Sequence, residues 1–152
     1  LRHDHRCFQV KKLSRVFRSV LAHKVAITLE ACHAREVIEQ AFVRYGTPEI
    51  VNTDQGSQFT STEFTNVVLA KGCRLSMDGR GAWRDNVFVE RVWRSVKYER
   101  VYLKAYDSVS AARADIADYF RWYNADRAHS SLDDVTPEQA YLELLPKLVR
   151  AA

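Results

Sequence analysis

Hydrophobic and polar positions follow two different periods along most of this chain, which indicates a mixed α/β domain. Short apolar runs, typical of strands, occupy residues 20–27, 49–52 and 74–77. Between and after these runs, apolar residues recur at the i, i+3 and i+4 spacing of an amphipathic helix. We therefore predict short strands that alternate with helices.

Capping and helix-breaking residues set the predicted helix boundaries. Thr28 is predicted to cap the first helix, which Gly46 ends. Residues 60–63 read as a capping box, and Asp85 as the N-cap of a later helix. The helix that the capping box opens is predicted to end at Gly72. Two further helices are predicted from 86 to 101 and from 109 to 124, and a last one begins at Thr136 and Pro137.

The first nineteen residues differ from the rest of the chain. Six arginines and lysines are crowded there with little apolar period, so we interpret residues 1–19 as a basic arm without regular structure. The alternative is a metal site, but zinc needs four well-placed ligands and no second cluster is evident. We expect residues 20–145 to form one domain and residues 146–152 a C-terminal tail. The candidate ligands of the alternative metal site are His3, Asp4, His5 and Cys7.

Composition narrows the class of protein. The 152 residues suffice for one domain with a single core, and the net charge of +4 permits nucleic-acid binding. Three widely spaced cysteines form no disulfide framework, which favours a reducing cytoplasm. No run of about 18 apolar residues is present, so we expect no membrane span.

Two carboxylates are the candidate chemical groups. Asp54 follows an apolar run and so belongs at a strand end, whereas Glu90 lies inside a helical pattern. Two such acids in a basic chain suit a hard cation held against phosphate oxygen, although these sites usually need a third carboxylate. Arg94 and Lys97 fall on the same helix face as Glu90. That face can equally be a solvated salt-bridge surface.

A loop rich in glycine and arginine precedes the Glu90 helix. It contains Arg80 and Arg84 together with Trp83, and Trp93 follows on the helix. Arginines and aromatic rings can pair with and pack against a nucleic-acid backbone. The loop is therefore a second candidate binding feature.

Three segments carry a family resemblance. Residues 52–61 resemble the second-aspartate motif of integrase-core transposases, specifically the orfB-type transposases of bacterial insertion sequences, which are related to retroviral integrases. Residues 76–81 and 85–99 are similar to the glutamate motif of that family. Residues 123–138 are similar to its closing segment, with Ala128 in place of a usual proline.

The resemblance implies an RNase H-like fold and Mg²⁺-dependent DNA cleavage and strand transfer in insertion-sequence transposition, with Mn²⁺ as a substitute ion. Three acids of the family hold two divalent ions, and Asp54 and Glu90 match two of them. The implied partners are transposon ends, target DNA, and a second copy or a full-length transposase. By the same resemblance Lys97 holds a phosphate. The other phosphate contacts, each equally readable as a surface cation, are Arg80, Arg84, Arg94 and Arg127.

One element of the family pattern is missing. The family's first aspartate lies on a strand about sixty residues before the second, and counting back from Asp54 passes Leu1. We therefore expect an N-terminally truncated core whose central sheet lacks its first strand or strands, and a catalytically incomplete site. The alternative is a non-catalytic fragment that binds DNA or a full-length transposase. A generic RNase H-like nuclease is a third hypothesis, which residues 123–138 argue against.

Overall fold

The computed structural model describes residues 4–8, 18–28, 30–77 and 83–150. Within these ranges short strands are interspersed with helices as far as β4, and the described elements after β4 are helical. A π-helical turn at Lys97–Val101 extends α4, and a 3₁₀ turn at Ser130–Leu132 precedes α6. The elements in chain order are β1 (Asp4–Phe8), β2 (Ala22–Ala26), α1 (Ala31–Tyr45), β3 (Ile50–Thr53), α2 (Ser57–Thr60), α3 (Thr62–Ala70), β4 (Arg74–Met77), α4 (Trp83–Val96), α5 (Val109–Ala125) and α6 (Pro137–Arg150).

The described strands form two separate pairs. β1 pairs antiparallel with β2, and β3 pairs parallel with β4. Residues 4–8 belong to the predicted basic arm, and here they form β1 because the backbone of β2 supplies their hydrogen-bond partners. The other residues of the arm before Arg18 lie outside the described ranges, and the side chains of the alternative metal site are not described.

Two hydrophobic clusters meet at the segment that enters and forms β2. Leu21 and Ala22 belong to the first cluster, with the apolar face of α1, with α2 and α3, and with Val51 of β3. Val20 and Val25 belong to the second, with the inner faces of α4 and α5. This segment is therefore covered by helices on both sides, which explains why its apolar residues occur as a run.

Two predicted helix starts are wrong. α1 begins at Ala31, with extended Glu30 at the N-cap position, whereas the hydroxyl of Thr28 lies 3.1 Å from the His33 ring. α4 begins at Trp83, so Asp85 lies within the helix instead of capping it. α1 thus starts without a side-chain hydrogen bond from its N-cap residue.

Other boundaries are confirmed by their hydrogen bonds. The Ser61 hydroxyl accepts from the Phe64 N–H at 3.2 Å and caps α3. Thr136 and Gln139 cap α6 reciprocally, at 3.0 and 3.2 Å. α6 continues to Arg150 and crosses the domain boundary predicted at residue 145. None of the described helices is both long enough and apolar enough to cross a membrane.

Candidate active site and nucleic-acid interface

Asp54 follows the carboxyl end of β3 directly. Because β3 and β4 are parallel, with Thr53 opposite Met77, both strands deliver their carboxyl ends to one edge. Ligand-facing groups of α/β sheets occur at such edges. The Asp54 carboxylate is exposed, and its Oδ1 accepts a 2.8 Å hydrogen bond from the Gly56 N–H. The predicted strand-end position of Asp54 is confirmed.

The ends of two side chains lie close to the Cβ position of Gly56. A methyl group on Gly56 would lie 2.8 Å from Oδ1 of Asp54 and 2.5 Å from Nε2 of Gln58. The Gln58 amide nitrogen is buried and makes no hydrogen bond with a described residue. Buried polar atoms normally find a partner. The Asp54 carboxylate and the Gln58 amide thus both crowd the Cβ position of Gly56.

Glu90 lies on the outer face of α4. Val92 and Val96 are buried in the second cluster and turn the opposite face of the helix to solvent. Glu90, Arg94 and Lys97 are all exposed on that outer face. The Arg94 guanidinium stacks over the ring of Tyr98, with its Cζ 5.7 Å from the ring centroid. The predicted shared face of one carboxylate and two cations is therefore present.

Asp54 and Glu90 offer oxygen ligands of the kind that Mg²⁺ prefers. Neither belongs to a group of three potential ligands within the described ranges. The group that does occur there comprises Glu30, Cys32 and His33, whose ligand atoms lie within 4.8 Å of one another. Its thiol is not activated, because burial and Glu30 raise the pKa of Cys32.

Arg127 is engaged with protein groups. Its Nη1 lies 2.9 Å from both carboxylate oxygens of Glu99, and it donates to the Tyr119 hydroxyl at 2.9 Å. Tyr119 donates to Glu99 at 2.8 Å, and burial together with this carboxylate raises the pKa of the phenol. The network joins the π-helical turn after α4 to the end of α5.

A cavity of about 500 Å³ opens beside this network. Its walls come from the segment before β2, from α4 and the turn that follows it, and from the end of α5 with the residues after it. Four arginines face one glutamate there. The lining residues are Arg18, Arg91, Val92, Arg94, Ser95, Tyr98, Glu99, Tyr123, Arg127 and His129.

His129 lies at one wall of this arginine cavity. Its ring packs edge-on against Tyr123 at 4.9 Å, and its Nε2 is buried without a hydrogen-bond partner among the described residues. Burial lowers the pKa of His129, and the positive charges of Arg127 and Arg18 lower it further. The imidazole is therefore neutral at pH 7.

The same tail segment also supports the fold. The Asn124 side chain accepts from the Val20 N–H and donates to the Val20 carbonyl, both at 2.9 Å. Asn124 thus fixes the chain at the entry to β2. The tyrosine and asparagine of the predicted closing motif, Tyr123 and Asn124, have structural roles.

Two of the predicted phosphate contacts have side chains that the structure does not describe. Arg80 lies outside the described residues, and Arg84 lies in the first turn of α4 with its side chain undescribed. Sequence reasoning did not single out Arg18, Arg91, Tyr98 or His129. Tyr98 lies seven positions after Arg91, a helical spacing that was the available signal, but the distant segments that complete the cavity gave none.

Parts of this chain are similar to an integrase-core family and to transposases of bacterial insertion sequences. Residues 71–137 match the family described as "Integrase core domain". The chain is 28% identical over 103 residues to the putative transposase InsK of insertion element IS150 from Escherichia coli K12. It is 33% identical over 90 residues to the IS904 transposase of Lactococcus lactis. It is 30% identical over 125 residues to the transposase InsF of IS3A from E. coli K12.

These alignments cover 66%, 59% and 80% of this chain, in the same order. They cover only 36%, 36% and 43% of the relatives. The chain thus spans well under half the length of the curated relatives it matches.

Solved structures show the fold. The catalytic core domain of BIV integrase superposes with a TM-score of 0.65 at 21% identity, covering 86% of this chain and 81% of that one. The HTLV-2 integrase catalytic core domain, solved in complex with magnesium, gives 0.66 at 19% identity, covering 91% and 93%. The fold is therefore RNase H-like, of the retroviral integrase core type, as the sequence predicts.

Proposed function

We propose that this chain, which is related to the orfB-type insertion-sequence transposases and has their integrase-core fold, binds DNA through the outer face of α4. The observation that carries the proposal is the exposure of Glu90, Arg94 and Lys97 on one face. Cations beside a carboxylate can hold phosphate oxygens near an ion that the carboxylate binds.

Asp54 and Glu90 are the proposed ligands of a divalent cation, Mg²⁺ or Mn²⁺. Their carboxylate oxygens are ligands of the kind that such an ion prefers. When bound, the ions of this family activate an attacking oxygen and stabilise a leaving oxygen of a phosphodiester. The residues themselves position the ion from a strand end and from a helix, and Lys97 orients the phosphate.

The 152 residues supply two of the three acids that the resemblance implies. We therefore propose that a polypeptide of these residues binds DNA without cleaving it, because two carboxylates leave a two-ion site short of a bridging charge. Its partners would be DNA and a second copy or a full-length transposase, in a bacterial cytoplasm. The alternative function, modulation of a full-length transposase, follows from the same incomplete site.

Two assays test the proposal. Gel retention of duplex DNA should show binding by the wild-type chain, and Lys97→Gln should weaken it and reduce the slope of log affinity against log salt by about 1. An Mg²⁺-dependent cleavage and strand-transfer assay should show no product with wild type or with Glu90→Gln.

Each assay can contradict the proposal separately. Absence of DNA retention by the wild-type chain would refute the DNA-binding function. Product formed by the wild-type chain and lost in Glu90→Gln would instead refute the incomplete site and establish the chain as a strand transferase.

A further inference from the structure

The arginine cavity combines a surplus of positive charge with groups that recognise more than charge. Arg91 is exposed and makes no ion pair with a described residue, while Arg127 is neutralised by Glu99. Arg18 adds a cation from the opposite wall. Guanidinium groups converging from two walls bind phosphate oxygens in a forked geometry.

Tyr98 supplies an exposed aromatic ring to the lining of the cavity, with the Arg94 guanidinium over one face of the ring. Its side chain is 60% exposed, and Tyr102, at 65%, packs edge-on against it with 5.3 Å between ring centroids. Exposed rings beside cations are the usual platform on which unpaired bases stack.

His129 contributes a neutral polar group to the wall. Because the imidazole is uncharged, it can exchange a hydrogen bond with a hydroxyl or a phosphate oxygen through its unpartnered Nε2. The volume of about 500 Å³ lies in the range of about 300–1,000 Å³ typical of small-molecule sites. Phosphate, sugar hydroxyl and base thus each have a complementary group in one cavity.

We propose that the arginine cavity binds one unpaired nucleotide of a DNA strand, with its phosphate at Arg91, Arg94 and Arg18 and its base on Tyr98. The choice of DNA as ligand rests on the proposed function, and the cavity is a site additional to the Asp54 and Glu90 carboxylates. Arg127 acts here as a positioning residue that holds the wall through Glu99.

The site lies next to the proposed catalytic face. Arg91 follows Glu90 on α4, and Arg94, one turn beyond Glu90, also lines the cavity. A strand that crosses Glu90 would therefore place a neighbouring nucleotide at the cavity. This geometry favours a strand end that has separated from its complement over an intact duplex.

The test measures binding of a fluorescently labelled single-stranded oligonucleotide to the full chain by anisotropy. Arg91→Gln and Tyr98→Ala should each weaken binding about fivefold or more, and Arg91→Gln should also lower the salt slope by about 1. Both residues are exposed, so the variants should fold, which circular dichroism checks. Arg121→Gln is the matched control, because Arg121 is exposed on α5 and pairs with Asp118; its affinity should stay within about twofold.

A second arm measures dTMP binding by calorimetry, since a free nucleotide carries the same chemistry as a strand nucleotide. If Arg91→Gln and Tyr98→Ala lose affinity for dTMP but bind the oligonucleotide like wild type, the cavity does not bind a nucleotide of a DNA strand. If both variants bind both ligands with wild-type affinity, the arginine cavity is not a nucleotide site, while the proposed DNA binding by α4 still stands. If the wild-type chain binds neither duplex nor single-stranded DNA, the proposed function fails together with this inference.

Discussion

Arg127 directs one guanidinium nitrogen at both carboxylate oxygens of Glu99, with both distances at 2.9 Å. The guanidinium also stacks over the rings of Trp122 and Tyr123, with its Cζ 5.5 and 5.6 Å from their centroids. The sequence allows either a phosphate contact or a surface cation at position 127. The structure shows a residue that ties two helical segments together.

Replacing Arg127 with glutamine should therefore reduce stability. The change removes a charge-assisted pair and leaves Glu99 and the Tyr119 hydroxyl without their cation. We expect the free energy of unfolding to fall by about 1–2 kcal/mol, discounted for the partial exposure of both side chains. Urea denaturation followed by circular dichroism measures the change.

Arg121→Gln provides the comparison, because its pair with Asp118 is exposed and lies within one helix. Its effect on the free energy of unfolding should stay below about 0.5 kcal/mol. Equal losses in the two variants would show that the Glu99 network adds nothing specific to stability.

A methyl group at Gly56 should disturb the carboxylate of Asp54. The added Cβ would approach Oδ1 of Asp54 and Nε2 of Gln58 more closely than van der Waals contact allows. We expect Gly56→Ala to weaken Mn²⁺ binding about tenfold or more, because a ligand displaced from its supported position cannot coordinate the ion. Titration followed by the electron paramagnetic resonance signal of free Mn²⁺ measures this affinity.

Gly72→Ala is the matched control for a glycine substitution. Gly72 has a φ of +74° and open space around its Cβ position. The variant should lose about 1 kcal/mol of stability through backbone strain yet bind Mn²⁺ like wild type. Unchanged Mn²⁺ binding in Gly56→Ala would remove the support for a cation at Asp54.

Local patterns predicted much of the fold because the forces behind them are local. The strand at Arg74–Met77 and the caps at Ser61 and Thr136 depend on neighbouring residues, and all three are found in the structure. N-cap preference favours Thr28 as the cap of α1, yet the helix begins after extended Glu30, which forms no side-chain cap hydrogen bond. Such boundaries depend on how the helix packs.

Contacts between residues that are far apart in the chain could not be predicted from the sequence. Glu99 and Arg127 are separated by 28 positions, and Val20 and Asn124 by 104. The arginine cavity likewise needs Arg18 and His129 on either side of α4. A pattern read along one helix can show which face carries charge, but it cannot show which distant segment closes the space beside it.

Acidification should destabilise the fold through two histidines. Burial lowers the pKa of His23, with Arg44 adding to the effect, and burial with Arg127 and Arg18 lowers that of His129. The unfolded chain therefore binds more protons than the folded one as pH falls below about 6.5. The contribution of the two neutral histidines to stability is therefore fully present above about pH 6.5. It is lost as the pH falls through their lowered pKa values in the folded protein.

Urea denaturation between about pH 5 and pH 7.5 measures this dependence. His23→Gln and His129→Asn, combined, should flatten the slope of unfolding free energy against pH in that window. His33→Gln serves as the control, since His33 lies in the first turn of α1. A slope that the double variant leaves unchanged would assign the acid sensitivity to other groups.

Asn124 should be among the most sensitive positions in the chain, because its amide satisfies a backbone donor and a backbone acceptor of Val20 at once. Val20 is buried between α4 and α5 residues, so water cannot readily replace the lost partners. Asn124→Ala should lower the free energy of unfolding by about 2–4 kcal/mol, the cost of two unsatisfied buried groups. Asn124→Asp keeps the acceptor for the Val20 N–H but loses the donor, and it should fall between wild type and the alanine variant. Denaturation of all three proteins orders them. An aspartate variant as unstable as the alanine variant would show that the N–H of Val20 gains nothing from its side-chain acceptor.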